Sequence, residues 1–306
     1  MALRQWMVTH DWMVKPTQQT EWIERRGILV WIAEVFTSLG AGLYLVSLFF
    51  NNWWGMLAAW AIIMFLKLPP HLLYFGKPLR FWRTLIPITD SWKTSWFTRG
   101  INFTVYFGTV VFFQLIVTYF FPGTGWDIAL KVLGGIFGFL VGIYSGFIMS
   151  YCKSVPFWNT AMLPIIMLLA GVADGFALIL AIGIVDASVN IAAVELGIRI
   201  ILAANIVMMG AYVWNGTYQS NTARYTAMLL VKGKLAVPFW LGVVVIGMVV
   251  PLGISFLSLF AEQATTGLLI VSVLLHTAGA VVLKYVLLKT GVHTPLLPTL
   301  SYSHRL

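Results

Sequence analysis

The chain has 306 residues, of which 60% are apolar and only 9% are charged, and its formal net charge is +9. A mean hydropathy of +0.89 excludes an ordinary soluble domain. The single cysteine, Cys152, excludes an internal disulfide and also an iron–sulfur cluster, which takes about four thiolates. The composition therefore indicates an integral membrane protein.

Eight apolar stretches are long enough to cross the hydrocarbon core of a bilayer, which takes about 20 residues of helix. Continuous runs of this length predict helices, since the strands of a membrane β-barrel have about 10 residues and alternate in polarity. The predicted fold is an all-α integral membrane protein with eight transmembrane helices. In chain order these spans cover residues 27–50, 53–73, 99–121, 128–151, 160–184, 191–214, 235–260 and 266–289.

The segments around the first four spans have distinct compositions. Residues 1–26 are polar and rich in tryptophan, so we expect them to lie along the membrane interface. The connection at residues 67–99 is the longest and is basic; its Pro69-Pro70 pair and Pro78 are expected to stop helix propagation. Four glycines spaced four residues apart in the fourth span predict close packing against a neighbouring helix: Gly134, Gly138, Gly142 and Gly146.

The sequence is interrupted near its middle by Lys153 and Pro156, between the fourth and fifth spans. We therefore predict two four-helix bundles. The first covers residues 27–152 and includes the basic loop 67–99, and the second covers residues 153–306 and includes the C-terminal tail.

The lysines and arginines are distributed unequally between the two sides of the membrane. Of the 19 such residues, all but Lys131 and Arg199 lie on the side that holds both termini and the loops after spans two, four and six. We call this side the basic face and the opposite side, which has only tight turns, the minimal face. The bias is typical of cytoplasmic loops, so both termini are expected in the cytoplasm. It also accounts for the net charge without a nucleic-acid partner.

Three polar side chains are expected to converge near the basic face. Glu34 lies seven residues into the first span, roughly 10 Å from that face at 1.5 Å per residue, and Tyr144 lies at a similar depth in the fourth span. His71 stands where the second span meets the same face. A carboxylate, a phenol and an imidazole could bind the two carbonyls of a quinone and exchange its protons. Alternatively, Glu34 pairs with a nearby base, such as Arg25, Arg26 or Lys67, and Tyr144 is an interfacial anchor.

A second polar set lies closer to the minimal face. Asp174 in the fifth span and Arg199 in the sixth are expected at similar depth on neighbouring helices, where they could form a buried ion pair. Glu195 is one helical turn from Arg199, and Asp186 lies in the turn between the two spans. The four residues could form a proton or water path, or they could simply brace two helices. The sequence leaves both interpretations open.

Other cofactor chemistry has little support in the sequence. A membrane b-type haem usually needs two axial histidines within spans, and only His276 lies deep inside one. Zinc motifs, a phosphate-binding Walker loop and a dinucleotide fingerprint are absent from the sequence. We therefore predict no metal, haem or iron–sulfur cluster in this protein.

Three motifs, in order, carry a resemblance to a known family. Residues 71–82 read HLLYFGKPLRFW, and residues 142–146 read GIYSG, followed by Ser150, PFWN at residues 156–159 and Leu163-Pro164. The first span contains Gly40-Ala41-Gly42. Each motif is loose, but their order, the eight spans and the length of about 300 residues together resemble the NrfD/PsrC family, the membrane subunits of polysulfide-reductase-type respiratory complexes.

The resemblance implies a haem-free anchor in the prokaryotic cytoplasmic membrane that reacts with a menaquinone-type quinone. It also implies an iron–sulfur subunit with several clusters and a molybdopterin catalytic subunit as partners, beside membrane lipid. Tyr144 matches the quinone-contacting tyrosine of the family, and Arg199 matches more weakly an arginine on a proposed proton path. Glu34 stands in a region that differs among family members, so its role depends on the depth argument.

The basic face is the expected docking surface, with Lys77, Arg80 and Arg83 as contacts for an acidic iron–sulfur partner. In the family this face often lies outside the cytoplasm, whereas the charge bias here favours a cytoplasmic partner. The rival hypothesis is a secondary transporter or ion-conducting subunit that uses Asp174, Glu195 and Arg199. Transporters commonly show inverted repeats and broken helices, and the sequence shows neither clearly.

Overall fold

The computed structural model describes residue 13 and residues 15–86, 90–260 and 266–296. Within these ranges eight helices are long and apolar enough to cross a membrane. In chain order they are α1 Arg25–Phe49, α2 Trp53–Tyr74, α3 Trp96–Phe120, α4 Gly125–Ser150, α5 Met162–Gly183, α6 Ile191–Gln219, α7 Pro238–Leu257 and α8 Thr266–Lys289. The predicted all-α membrane fold with eight spans is therefore confirmed.

The boundaries differ most at the end of α6, which continues five residues past the predicted limit at residue 214. Polar residues carry the helix beyond the apolar run, and its regular structure ends at Ser220. The Ser220 backbone is extended, and its hydroxyl accepts a hydrogen bond from the Ala223 backbone N–H at 3.1 Å. Ser220 thus ends α6 and caps the next helix, Asn221–Val231.

The prediction that Pro69-Pro70 stops the second helix is wrong. The helix passes through a π-helical segment, Ile62–Lys67, and continues as Leu68–Tyr74. The prolines lack the N–H groups that would bond four residues back, and the wider turn instead joins the Leu68 N–H to the Ile63 carbonyl. The extra residue in this turn changes which side chains face inward, and both Lys67 and His71 are buried.

Small residues hold α1 closely against α5 and α4. A Cβ atom on Gly42 would lie 1.6 Å from the carbonyl oxygen of Gly171, so the two backbones touch. In α4, Gly134 and Gly138 receive the ring of Tyr44 from α1, and Gly146 lies against Pro164 of α5. The packing role predicted for the α4 glycines is confirmed, and α1 lies at the centre of the helix assembly.

The N-terminal segment is fixed to the C-terminal end of the described residues. Strands β1 Thr17–Gln18 and β2 Val292–His293 pair antiparallel. The Gln19 side-chain amide donates to the Leu288 carbonyl at 2.6 Å, and the Trp22 ring packs 5.3 Å from the Trp158 ring. These contacts hold Trp22 over the basic-face ends of the helices.

The division into two four-helix bundles stays a prediction, and α1 of the first half packs directly on α5 of the second. Residues 1–12 and 14 of the predicted interfacial segment lie outside the described residues, as do residues 87–89, 261–265 and 297–306.

Candidate functional site

A cavity of about 230 Å³ lies among the basic-face ends of five helices. Its wall is mostly apolar and aromatic, with a small number of polar groups. The lining residues are Trp22, then Val30 and Glu34 of α1, His71 and Tyr74 of α2, Phe97 of α3, Ser145, Ile148 and Met149 of α4, and Leu288 of α8. A concave, mostly apolar site with few polar groups is typical of small-molecule binding.

Two of the three side chains predicted to converge line this cavity. His71 is only 3% exposed, its ring lies 5.4 Å from the Phe97 ring, and its Nδ1 atom has no hydrogen-bond partner. Glu34 is buried on the opposing helix α1, with the Ser145 side chain beside its carboxylate. A buried imidazole nitrogen without a partner has lost its water contacts, so a ligand in the cavity could restore that hydrogen bond.

Tyr144 lies behind the cavity wall rather than on it. Its ring is fully buried against Gly100, where a Cβ atom would lie 2.1 Å from Tyr144 Cδ2. The hydroxyl lies beside Thr37 and makes no hydrogen bond. The alternative that Tyr144 is an interfacial anchor is therefore wrong, because an anchor would reach the water interface.

Lys67, counted with the basic face by its sequence position, lies inside the helix assembly. It is 1% exposed, and its Nζ donates to the Thr104 hydroxyl and lies 5.2 Å from the centre of the Tyr144 ring. Glu34 is the acidic group that acts on it electrostatically. The two are not joined by a salt bridge, so Glu34 acts on Lys67 through space.

Lys284 is a second buried lysine that sequence position assigns to the basic face. It lies in α8 at 2% exposure, and its Nζ is 3.4 Å from the sulfur of Met167. Its charge acts on both Glu34 and Asp174. Helical side chains lean towards the N-terminus of their helix, and this directs Lys284 deeper into the membrane.

Asp174 does not pair with Arg199, so the predicted ion pair is wrong. Its Oδ1 atom lies 3.0 Å from His276 Nε2 on α8, and its Oδ2 accepts a hydrogen bond from Ser38 on α1 at 2.6 Å. Arg199 is half-buried and donates to the Glu195 backbone carbonyl at 3.1 Å, with no acidic side chain of the described residues within salt-bridge distance. Asp174 thus contacts α1 through Ser38 and α8 through His276.

The other two residues of the predicted proton path lie nearer the minimal face. The Glu195 carboxylate accepts from the Ser258 hydroxyl at 2.8 Å, and its second oxygen is buried without a partner. Hydrogen bonds from Ser188 and Asn52 hold the pKa of Asp186 below its ordinary value, so this group is a carboxylate at neutral pH. These contacts do not join either residue to Asp174.

The predicted docking residues are exposed beside the cavity. Lys77, Arg80 and Arg83 follow directly on α2, and the last two lie on the 3-10 helix Pro78–Leu85. The Arg83 guanidinium lies 5.6 Å from the centre of the Trp82 ring. A protein bound to this segment would stand close to Tyr74, which lines the cavity.

The positions of Lys67 and Lys284 in the sequence contain evidence that both lysines are buried. Lys67 and His71 are four residues apart, so a continuous helix would place them on one face. Lys284 interrupts an otherwise apolar run, VVLKYVLL at residues 281–288, as an intramembrane functional residue would. When both lysines are counted among the charges of the basic face, their burial is overlooked.

The comparisons with known proteins agree with this architecture. The family described as "Polysulphide reductase, NrfD" matches residues 29–295. The protein belongs to the NrfD family. It is 27% identical over 267 residues to the C subunit of polysulfide reductase from Wolinella succinogenes, covering 79% of this sequence and 83% of that protein. It is also 27% identical over 129 residues to protein NrfD of Escherichia coli K12, covering 40% and 41% of the two sequences.

The match to the NrfD family includes every residue that lines the cavity except Trp22. It also includes both buried lysines and their acidic neighbours. This member of the family is thus a multi-pass membrane protein with buried acidic and basic side chains beside a cavity at its basic face.

The compensation can be tested by removing one buried lysine. Replacing Lys67 by Met keeps the length of the side chain and removes its charge, which leaves Glu34 with weaker compensation. We expect a loss of stability of up to about 3–5 kcal/mol, as for a broken buried pair, and recovery of most of it in Lys67→Met with Glu34→Gln. Lys289→Met is the control, because its partner Glu24 is half exposed and such pairs contribute about 0–1 kcal/mol. Equal thermal unfolding temperatures for the two single variants would contradict the account.

Proposed function

We propose that this protein is the haem-free, quinone-reactive membrane subunit of a multi-subunit respiratory oxidoreductase. The observation that carries the proposal is the cavity at the basic face, in which the unpartnered Nδ1 of His71 and the carboxylate of Glu34 share a mostly apolar wall. The relative in Wolinella is named as a part of polysulfide reductase, which supports a role within an oxidoreductase complex.

The residues present fit a quinone of the menaquinone type. A quinone head group is a flat apolar ring with two carbonyl oxygens, and the cavity offers Phe97, Trp22 and Ile148 for the ring. His71 can donate a hydrogen bond to a carbonyl or accept one from a hydroxyl, depending on its tautomer. When bound, the quinone supplies a carrier of two electrons and two protons.

Each polar group of the site has a distinct task in this proposal. His71 binds one oxygen of the head group, and Glu34 takes or gives the proton at the other. Lys67 supplies a positive charge near Glu34, which stabilises its carboxylate form. The ring of Tyr144 holds Lys67 in place. Tyr144 is therefore a positioning residue that does not itself contact the quinone.

The electrons must leave or enter through a partner, since we propose no redox metal in this protein. The partner is an iron–sulfur subunit with several clusters, docked on the exposed bases that follow α2, and a molybdopterin subunit completes the complex. Docking there brings the partner close to the cavity, which shortens the path of the electrons. We place the protein in the prokaryotic cytoplasmic membrane with both termini in the cytoplasm, because of the charge bias.

The quinone site can be tested with conservative variants. Glu34→Gln keeps the shape of the side chain and removes its acid, so we expect quinone to bind while quinone-linked turnover falls, by roughly 10²–10⁴-fold if Glu34 is the main acid–base group. Tyr144→Phe removes a hydroxyl without a partner, so we expect a much smaller effect. The measurements are quinone binding to the purified subunit and quinol-dependent turnover of the whole complex.

Asp127→Asn and Tyr212→Phe are matched controls. Both change a buried group outside the cavity, and Tyr212 donates to the Phe157 carbonyl at 2.9 Å. They should lose stability but retain turnover per folded molecule. Unchanged turnover in Glu34→Gln would remove Glu34 from the mechanism. Absence of quinone binding to the wild-type protein would favour the transporter hypothesis.

The docking surface can be tested by charge reversal. In Lys77→Glu with Arg83→Glu, the segment beside the cavity should repel an acidic partner, so we expect the iron–sulfur subunit to dissociate during purification at moderate salt. Salt matters because the Debye length is about 8 Å at physiological ionic strength. Lys232→Glu with Lys234→Glu reverses two charges in another loop of the basic face and should leave the complex intact. If both double variants retain the partner, these charges serve only to set the orientation of the protein in the membrane.

A further inference from the structure

A cleft of about 730 Å³ opens at the basic face between the start of α1 and the end of α2. Both polar and apolar groups line it. The lining residues are Thr20, Glu21, Glu24, Arg25, Arg26 and Gly27 on one side and Tyr74 and Phe75 on the other. Tyr74 also lines the cavity, so the cleft and the cavity share one wall. The quinone chemistry of the cavity does not use the cleft.

The cleft lies at the depth of the lipid head groups. The helix α1 has 25 residues and begins at Arg25, and its length of about 37 Å exceeds the hydrocarbon core of about 30 Å. Tyr74 is the last residue of α2 at the same face. Arg26 joins the two helices across the cleft, since its Nη2 donates to the Leu73 carbonyl at 3.4 Å. The first turn of α1 is therefore expected among the phosphate groups of the bilayer.

Charges of both signs face the cleft without pairing with one another. Glu21, Arg25 and Arg26 are exposed, and no salt bridge within the described part of the chain joins Glu21 to either arginine. Glu24, in contrast, pairs with Lys289 at 2.8 Å. Two guanidinium groups and one carboxylate are thus available to a ligand in the cleft.

The backbone of this turn is unfavourable for the arginine that it carries. Arg25 has a φ of 50°, and Asn51 is the only other non-glycine residue with positive φ among the described residues. Asparagine adopts this conformation several-fold more often than most residues do. Gly27 closes the turn, since a Cβ there would lie 2.4 Å from the Glu21 carbonyl oxygen. An arginine at a position suited to glycine indicates a use for its side chain.

The arrangement of charges matches a phospholipid that carries a primary ammonium group, such as phosphatidylethanolamine. Its phosphate diester can accept hydrogen bonds from the two guanidinium groups, and its ammonium can donate to Glu21. An anionic phospholipid without an amine leaves Glu21 facing a like charge. A choline head group has no N–H, so it cannot donate to the carboxylate.

We infer that the cleft binds the head group of a phosphatidylethanolamine-type lipid, with Arg25 and Arg26 on the phosphate and Glu21 on the ammonium. The acyl chains remain in the bilayer. The inference is independent of the proposed quinone site. The competing explanation is that the two arginines only orient α1 in the membrane. That role requires neither an acid in the same cleft nor a strained backbone at Arg25.

Lipid binding by the purified full-length protein tests the inference. Native mass spectrometry with lipids of identical acyl chains should show phosphatidylethanolamine retained in preference to phosphatidylcholine and phosphatidylglycerol. Arg25→Gly should weaken binding of all three by roughly three- to fivefold, as for the loss of an ion pair near water. It should not lower the unfolding temperature, because glycine adopts a positive φ without strain. Glu21→Gln keeps the shape of the side chain and should abolish the preference for ethanolamine over choline.

Two further variants make the test decisive. Arg224→Gln is the matched control, because it removes an exposed arginine of the basic face outside the cleft, and it should bind lipid as the wild type does. Arg25→Asn should behave as Arg25→Gly does, since asparagine also tolerates positive φ. Equal retention of the three lipids by the wild type would overturn the inference. Unchanged binding in both Arg25 variants would overturn it as well and leave the arginines with orientation alone.

The free head group, glycerophosphoethanolamine, separates a lipid from a soluble ligand of the same chemistry. It lacks the acyl chains that hold a lipid beside the cleft, so we expect it to bind much more weakly than the lipid does. Equally tight binding of the free head group would overturn the assignment to a lipid.

Discussion

A charged group within a lipid-embedded helix assembly is stable only when other protein groups replace its lost water. Glu34 and Asp174 supply two acids here, and Lys67 and Lys284 supply two bases, all of them buried. Each lysine acts on an acid of another helix, and Asp174 also contacts Ser38 and His276. These neighbours replace part of the lost water, so several ionisable side chains can lie together in one membrane protein. A change of protonation at one of them is transmitted electrostatically to the others.

The backbone is adapted to bring these groups together. Contact of α1 with α5 at Gly42 and Gly171 places Ser38 beside Asp174. The π-helical segment of α2 carries the helix through Pro69 and places Lys67 and His71 on the inner side. Such wide turns occur frequently at functional sites because they change which side chains face inward without ending the helix.

Much of the fold could be predicted because membrane insertion depends on local composition. Apolar length marks the eight spans, and the loop charges separate the basic face from the minimal face. The depth of Glu34 and His71 along their helices also follows from residue counting. Rotation about the helix axis does not, since it depends on which helices pack together. For that reason spacing alone pairs Asp174 with Arg199 on the next helix in sequence, while its partner His276 lies on α8. The same limit places Lys67 and Lys284 at the surface by sequence position.

The central claim is that the cavity beneath Trp22 receives a quinone head group at the basic face. A photoreactive menaquinone analogue, illuminated with the intact complex and followed by peptide mass spectrometry, tests it most directly. The account predicts labels on segments that line the cavity, around Trp22, Phe97 and Ile148, and their loss when excess unlabelled menaquinone competes. Labels confined to the minimal-face half, around Asp186 and Glu195, would contradict it. Labels on the cavity that persist when excess unlabelled menaquinone competes would contradict it as well.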